Sequence, residues 1–189
     1  PSNEWLNRWY QQYPQLRDQK VLTLPGRLTR LKGHHDFIDL IKELRDSGEP
    51  VHGLIVGGED PKRKAYAREI RERVIQEGLA QAITFTGNRS DMREIYAVSD
   101  VVLSLSKKPE SFGRTVLEAL SMGTPVLGYS YGGVGEILSK LFPVGRLEKK
   151  AAYKDIFAVL REPPALMNHN MSAEKMVLST LDLYEDFKI

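Results

Sequence analysis

Five short apolar runs, each separated from the next by one amphipathic or polar stretch, restrict this chain more than any other feature. They are Val21–Leu24, Val51–Val56, Ile83–Thr86, Val101–Leu105 and Val126–Gly128. Each is shorter than a buried helix would be and is followed within a few residues by Gly, Pro or a polar residue, which reads as a strand running into a loop. Between the runs the spacing turns helical. Phe37, Leu40, Ile41 and Leu44 share one face of Asp36–Arg45, and Tyr66, Ile70, Val74 and Ile75 mark the apolar points of a charged Pro61–Gln76. Ser90–Val98 predicts a shorter helix with Ser90 or Asp91 as its N-cap. Strands joined by single helices need right-handed crossovers, so the pattern predicts an α/β fold with a parallel sheet covered by helices on both faces.

The flanks are less regular. Asn3–Tyr13 places Trp5, Leu6, Trp9, Tyr10 and Tyr13 at helical spacing, giving an amphipathic helix with an aromatic face that packs on its own domain or on a neighbour. After Gly132-Gly133, Val134–Ser139 predicts a short helix, Phe142–Val144 an edge strand, and Tyr153–Leu160 and Ser172–Phe187 two further helices. At 189 residues the chain is expected to form one domain over 1–189. It does not begin with methionine, which fits a piece of a longer protein.

Composition removes several classes of function. A net charge of +2, from 27 basic and 25 acidic residues, gives no support to a general nucleic-acid or membrane-surface binder. The sequence contains no cysteine, so disulfides and thiolate metal sites are excluded, and the default compartment is the cytoplasm. No apolar run approaches the roughly 20 residues of a spanning helix, and the first residues carry no signal-peptide pattern.

In an open parallel sheet, ligands bind at the carboxyl ends of the strands. Pro25-Gly26-Arg27, Gly57-Gly58-Glu59, Thr86-Gly87-Asn88-Arg89, Ser104–Gly113 and Tyr129–Gly133 all fall at such ends. Pro109–Tyr131 is the most informative of these regions. It reads as loop, helix, turn, strand and loop, with Glu110 and Gly113 where the loop enters the helix and Glu118 inside it. A helix starting near Phe112 or Gly113 would direct unpaired N–H groups at an anion, a contribution of about 0.3–1 kcal/mol that is too small to hold a dianion alone. Arg27 and Lys32 are the cations best placed by topology to supply the rest, although solvated surface charge after a turn is the plainer reading of both. Glu110 and Glu118, eight positions apart, are not a close acid/base pair on helix spacing. They suit the role of hydroxyl acceptors, and a surface acid is the plainer alternative for Glu118. Glu136 is open between a helix N-terminal cap and a ligand contact.

Other motifs carry less. Gly57-Gly58 lacks the dinucleotide spacing, and the sequence has no P-loop lysine motif and no HExxH. His34 and His35 are adjacent and read as core or surface polar residues, while His52 and His169 have no visible partners. Ser111 lies in ESFG and not in the GxSxG of a hydrolase elbow.

In order and spacing, several pieces resemble the C-terminal, nucleotide-sugar-binding domain of group 1 glycosyltransferases, the retaining GT-B enzymes of family 4. These are Gly26-Arg27-Leu28 with Lys32-Gly33, Val56-Gly57-Gly58, Phe85-Thr86-Gly87, Ser99-Asp100, Glu110-Ser111-Phe112-Gly113 through Glu118-Ala119, Gly123-Thr124-Pro125-Val126, and Gly132-Gly133 with Glu136. The resemblance covers most of the chain and implies a Rossmann-like sheet forming the C-terminal half of a GT-B fold. It also implies that Arg27 and Lys32 bind the donor diphosphate together with backbone N–H groups at Arg114 and Thr115. Glu118 would hold the ribose, and Glu110 with Phe112 and Gly113 the transferred sugar, while Asn88 and Arg89 flank the base. The catalytic set so implied is Arg27, Lys32 and Glu110.

By the same resemblance the donor is a UDP-, GDP- or ADP-linked sugar, no cofactor or metal is required, and a saccharide or lipid-linked acceptor is bound by an N-terminal domain that these residues do not include. Peripheral contact of the full-length enzyme with the inner membrane face stays open. On its own this chain is expected to bind donor nucleotide weakly and not to transfer sugar. The regions 145–152 and 167–171 depart from the family pattern. A GT-B sugar-nucleotide epimerase and a non-catalytic nucleotide-binding module are the competing readings.

Overall fold

The computed structural model describes residues 1–59, 64–147 and 153–162. Six parallel strands form one sheet: β1 (Lys20–Pro25), β2 (Val51–Val56), β3 (Ile83–Gly87), β4 (Val101–Ser104), β5 (Val126–Tyr129) and β6 (Arg146–Leu147). Their spatial order is β3-β2-β1-β4-β5-β6. The chain therefore builds outward from β1 in one direction, returns to the other side of β1, and builds outward again. Loops leaving β1 and β4 diverge at this reversal and open a crevice at their carboxyl ends, the position where doubly wound sheets take ligands.

The strands read as almost continuous apolar runs because both faces are covered. Side chains nonetheless alternate. Leu22, Leu24, Ile55, Val101, Leu103 and Leu127 point to the face covered by α2 (His34–Asp46), α3 (Lys64–Gln76) and α7 (Tyr153–Arg161). On the opposite face, Val102 and Val126 pack with α4 (Met92–Ala97), α5 (Arg114–Ser121) and α6 (Gly132–Leu141), and Val21, Leu54 and Val56 pack under α1 (Asn3–Gln12). Thr23 on this face is satisfied: the Thr23 and Ser99 hydroxyls lie 2.6 Å apart, and Ser99 donates to the Ile95 carbonyl at 2.7 Å. Asp100 joins β1 to β4 at their amino ends, accepting from the Val21 N–H at 2.8 Å and from Lys20 Nζ at 3.0 Å.

The aromatic helix packs on its own domain. Trp5 and Trp9 stack at 4.9 Å, Tyr13 lies 4.6 Å from Trp9, and Trp9 is buried against the sheet. Two expectations are corrected, and a third, Asp91 as the N-cap of α4, holds in position. Glu136 is an exposed residue in the second turn of α6, which starts at Gly132, so it is not an N-terminal cap. The edge strand lies at Arg146–Leu147 and not at 142–144, because the Phe142 ring is needed in the core under α6 and Pro143 opens a 3-10 turn through Gly145. Asp91 occupies the N-cap position of α4 without a side-chain capping bond, its carboxylate being held by Arg89 and Trp5. The helix expected at Ser172–Phe187 lies outside the described residues, as do His169 and residues 148–152 and 167–171.

At the reversal, the loops after β1 and β4 meet at Gly33. This residue has φ +76°, and a Cβ there would fall 2.6 Å from Leu105 Cβ and closer still to the Leu105 carbonyl oxygen. Only glycine meets both conditions. Gly33→Ala is expected to cost at least about 3 kcal/mol, a fall in Tm of roughly 6–12 °C. Gly48→Ala has comparable φ (+86°) and no neighbour within 4 Å, and should cost only the backbone strain of about 1 kcal/mol. Thermal melts of the two variants check this, and equal losses would refute the packing argument.

Candidate functional site

The loop leaving β1 carries the chain from Gly26 through a 3-10 turn at Arg30–Lys32 into α2. Because Gly33 abuts Leu105, Lys32 is delivered to the mouth of the β4 loop, and the Lys107 N–H fastens the two loops by donating to the Leu31 carbonyl at 2.9 Å. Lys32 Nζ lies 2.6 Å from Glu110 Oε1, joining residues 78 positions apart in sequence. Ser106, buried at the end of β4, donates its hydroxyl to the same Oε1 oxygen. Burial pushes the Glu110 carboxyl up, but the Lys32 and Ser106 hydrogen bonds and the Lys32 charge outweigh it, and the group is held below its ordinary value.

Glu110 is also fixed through its backbone. Its carbonyl accepts from the Gly133 N–H at 2.9 Å, and it forms a parallel bridge with Gly132, so the loops after β4 and β5 move as one. Gly113 then enters the left-handed region at φ +65° and starts α5. The first bonds of that helix run from Val116 and Leu117 to the Gly113 carbonyl, which leaves the N–H groups of Arg114 and Thr115 ahead of the helix ladder. Within α5, Glu118 accepts from the Tyr96 hydroxyl at 3.3 Å and pairs with Arg114 Nε at 3.3 Å. Burial, followed by the charge of Glu118, raises the Tyr96 phenol, which stays protonated and able to donate.

The other expected site residues lie around this centre with different commitments. Arg27 is exposed, and no hydrogen bond or ion pair engages its side chain among the described residues. Phe112 is partly exposed at the rim. Asn88 is exposed beyond β3, with its amide facing Gly58 closely enough that a Cβ on Gly58 would lie 2.4 Å from Asn88 Oδ1. Arg89 turns away. Its guanidinium makes two hydrogen bonds to Asp91, at 2.9 and 2.6 Å, and sits 5.5 Å from the Trp9 ring.

Three contributors were missed by sequence reasoning. Ser106 lay inside a suspected loop but no spacing rule connects it to Glu110 four residues on. Tyr96 lies inside the short helix expected at Ser90–Val98, where nothing in the spacing singled it out. The third is a brace in which Asp36, in the first turn of α2, accepts from the Tyr129 hydroxyl at 2.8 Å and pairs with Lys107 Nζ at 3.1 Å. Among the described residues, no group of three or more acidic or histidine side chains is arranged to hold a metal ion, and no helix is long and apolar enough to cross a membrane.

Residues 7–162 match the family described as glycosyl transferases, group 1. The chain belongs to this family. Transfer of a sugar is the chemistry of the group 1 glycosyltransferases, and the six-stranded Rossmann-like sheet matches their GT-B neighbours. The glycosyltransferase chain is 33% identical over 118 residues, or 60% of its length, to D-inositol 3-phosphate glycosyltransferase of Jonesia denitrificans, and the match spans 28% of that relative. Its fold superposes with a TM-score of 0.73 on Alr3699/HepE of Anabaena, solved in complex with UDP and glucose, at 26% identity, covering 85% of this chain and 42% of that one. It also superposes with a TM-score of 0.67 on the C-terminal domain of the group 1 family protein LpcC from Francisella tularensis, at 22% identity, covering 92% and 90% of the two chains.

Two histidines are buried, one at the start of α2 and one in β2. His34, in the first turn of α2, is fully buried, and its Nδ1 is 3.3 Å from the Tyr66 hydroxyl. Burial, with the charges of His35 and Lys32, lowers it to about 4. His52 in β2, 2.9 Å from the Thr84 hydroxyl, is lowered to about 4 by burial and by Arg45. Both folded values lie below the unfolded value near 6.5. The unfolded chain therefore takes up protons that the native state refuses, and stability is complete above pH 6.5 and lost as pH falls toward 4. Each histidine should contribute up to about 3 kcal/mol to this loss. Urea midpoints measured from pH 7.5 to 4.5 should fall for the parent chain and fall less for His34→Gln and His52→Gln. The same slope in all three would show that these groups are not responsible.

Proposed function

We propose that this chain is the donor-binding half of a retaining glycosyltransferase that moves a sugar from a nucleoside diphosphate sugar to an acceptor. The observation that carries the reading is the meeting of Lys32 and Glu110 at the sheet's reversal, four residues before the N–H groups of Arg114 and Thr115 that lie ahead of the α5 ladder. One cation, one hydroxyl-accepting carboxylate and an anion-binding helix end are what a sugar diphosphate needs within a few ångströms. The UDP and glucose in the HepE complex support the donor class.

In this reading Arg27 and Lys32 bind the diphosphate with the N–H groups of Arg114 and Thr115. Glu118, steadied by Tyr96, accepts from the ribose hydroxyls. Glu110 and the backbone at Phe112-Gly113 hold the transferred sugar. Asn88 and the backbone around it flank the base, and Arg89, committed to Asp91, shapes that wall from behind. As the glycosidic bond breaks, negative charge grows on the departing diphosphate, and the positioned cations and N–H groups stabilise it without a metal ion. Retention requires the acceptor to arrive on the face the leaving group vacates, and the acceptor is held by a further domain of the whole enzyme, working in the cytoplasm with its membrane face open to peripheral contact.

Calorimetric titration of the chain with UDP, GDP and ADP tests the reading, and absence of heat with all three would overturn it. Arg27→Ala should weaken the preferred diphosphate by about 10- to 100-fold, the worth of a charged hydrogen bond, and leave the nucleoside nearly unaffected. Glu118→Ala should weaken nucleoside and nucleotide alike, by about 10-fold. Equal losses for both ligands in both variants would show the roles to be wrongly assigned.

A further inference from the structure

Glu110 is engaged by two side chains of its own chain. Its Oε1 oxygen takes both the Lys32 ammonium at 2.6 Å and the Ser106 hydroxyl. The pair is shielded, with the two side chains 28% and 24% exposed. Both partners are anchored through their backbones. The Glu110 backbone is joined to Gly132 and Gly133, the Lys32 stem lies across Gly26 with its Cδ and Cε 3.1 Å from where a Cβ would stand, and Gly33 is set against Leu105. Lys32 has three N–H donors, so a phosphate that recruits the ammonium weakens or replaces its bond to Glu110, and the carboxylate keeps Ser106 as a donor.

Resting on the donor-site reading above, we propose that the Lys32–Glu110 pair, seated by Ser106, makes the site discriminate between the sugar-linked nucleoside diphosphate and the spent nucleoside diphosphate. The two ligands differ in the chemistry that meets Glu110. The sugar conjugate carries one ionisable charge fewer on its terminal phosphate and brings hydroxyls that replace the lost ammonium. The spent diphosphate brings an additional negative charge and no hydroxyl, so Glu110 faces like charge with an unfilled acceptor. Glu110 thus competes for Lys32 after transfer and favours release of the product. Ser106 is a positioning residue: it holds the carboxylate oxygen where the ammonium can return to it.

The test compares the chain with its Glu110→Gln, Ser106→Ala and Ser106→Thr variants, titrated calorimetrically with UDP and UDP-glucose and with the corresponding GDP and ADP pairs. Glu110→Gln should bind the sugar-free diphosphate tighter by about 10-fold while the sugar conjugate gains nothing, so that the preference for the conjugate falls by at least that factor. Ser106→Ala should move the preference the same way by about 3-fold, and Ser106→Thr, which keeps the hydroxyl, should restore it. Because Ser106→Ala carries the same sign independently, the result does not hang on the folding of one variant. Parent binding with an unchanged preference in Glu110→Gln and Ser106→Ala would overturn the discrimination alone. Failure of the parent chain to bind any of the six ligands would overturn the donor-site reading and this inference with it.

Discussion

The contact between Gly33 and the end of β4 is the constraint on which the site depends. A parallel sheet that reverses its building direction at β1 separates two loops that would otherwise continue side by side. Something must bring them back together if they are to share a ligand. A residue without Cβ and with positive φ does this by allowing one loop's backbone to lie against the other's carbonyl. Lys32, one position earlier, is then carried to Glu110 across 78 positions of sequence.

Holding opposite charges together at partial burial is not a strong source of stability, since desolvation offsets much of the attraction. The surrounding structure supplies the rigidity instead. Asp36, Tyr129 and Lys107 tie α2 to the loops after β4 and β5, and the Gly132–Glu110 bridge zips those two loops to each other. The buried histidines lie at the start of α2 and in β2. Their lowered pKa values mean that this framework carries a liability in acid that an apolar core would not.

Much of the fold was legible in the sequence. Residues on parallel strands buried on both faces leave apolar runs bounded by glycine and polar residues, and the intervening helices leave a 3-4 spacing, so Val51–Val56 was read to its ends. The misreadings have local causes. Phe142–Val144 has strand-like composition, but the Phe142 ring was claimed by the core under α6. Asp91 was read correctly as the N-cap of α4; only its side-chain capping bond is missing, the carboxylate being held by Arg89. Of the site, the residues at strand ends were legible because the topology of a parallel sheet gathers them there. The hydroxyls of Ser106 and Tyr96 were not, since their partners are fixed by side-chain direction and by packing between loops.

The sequence by itself determined the parallel α/β architecture and the set of loops that could hold a ligand, because both follow from periodicity and turn residues along the chain; the family entered through the resemblance of its motifs. The tertiary structure decided which of the charged residues meet. Strand order, the abutment at Gly33 and the zipping of two loops put Lys32 and Ser106 on one oxygen of Glu110 and sent Arg89 to Asp91. These are contacts between distant segments, and their energies depend on burial and distance, which exist only once the chain has closed on itself.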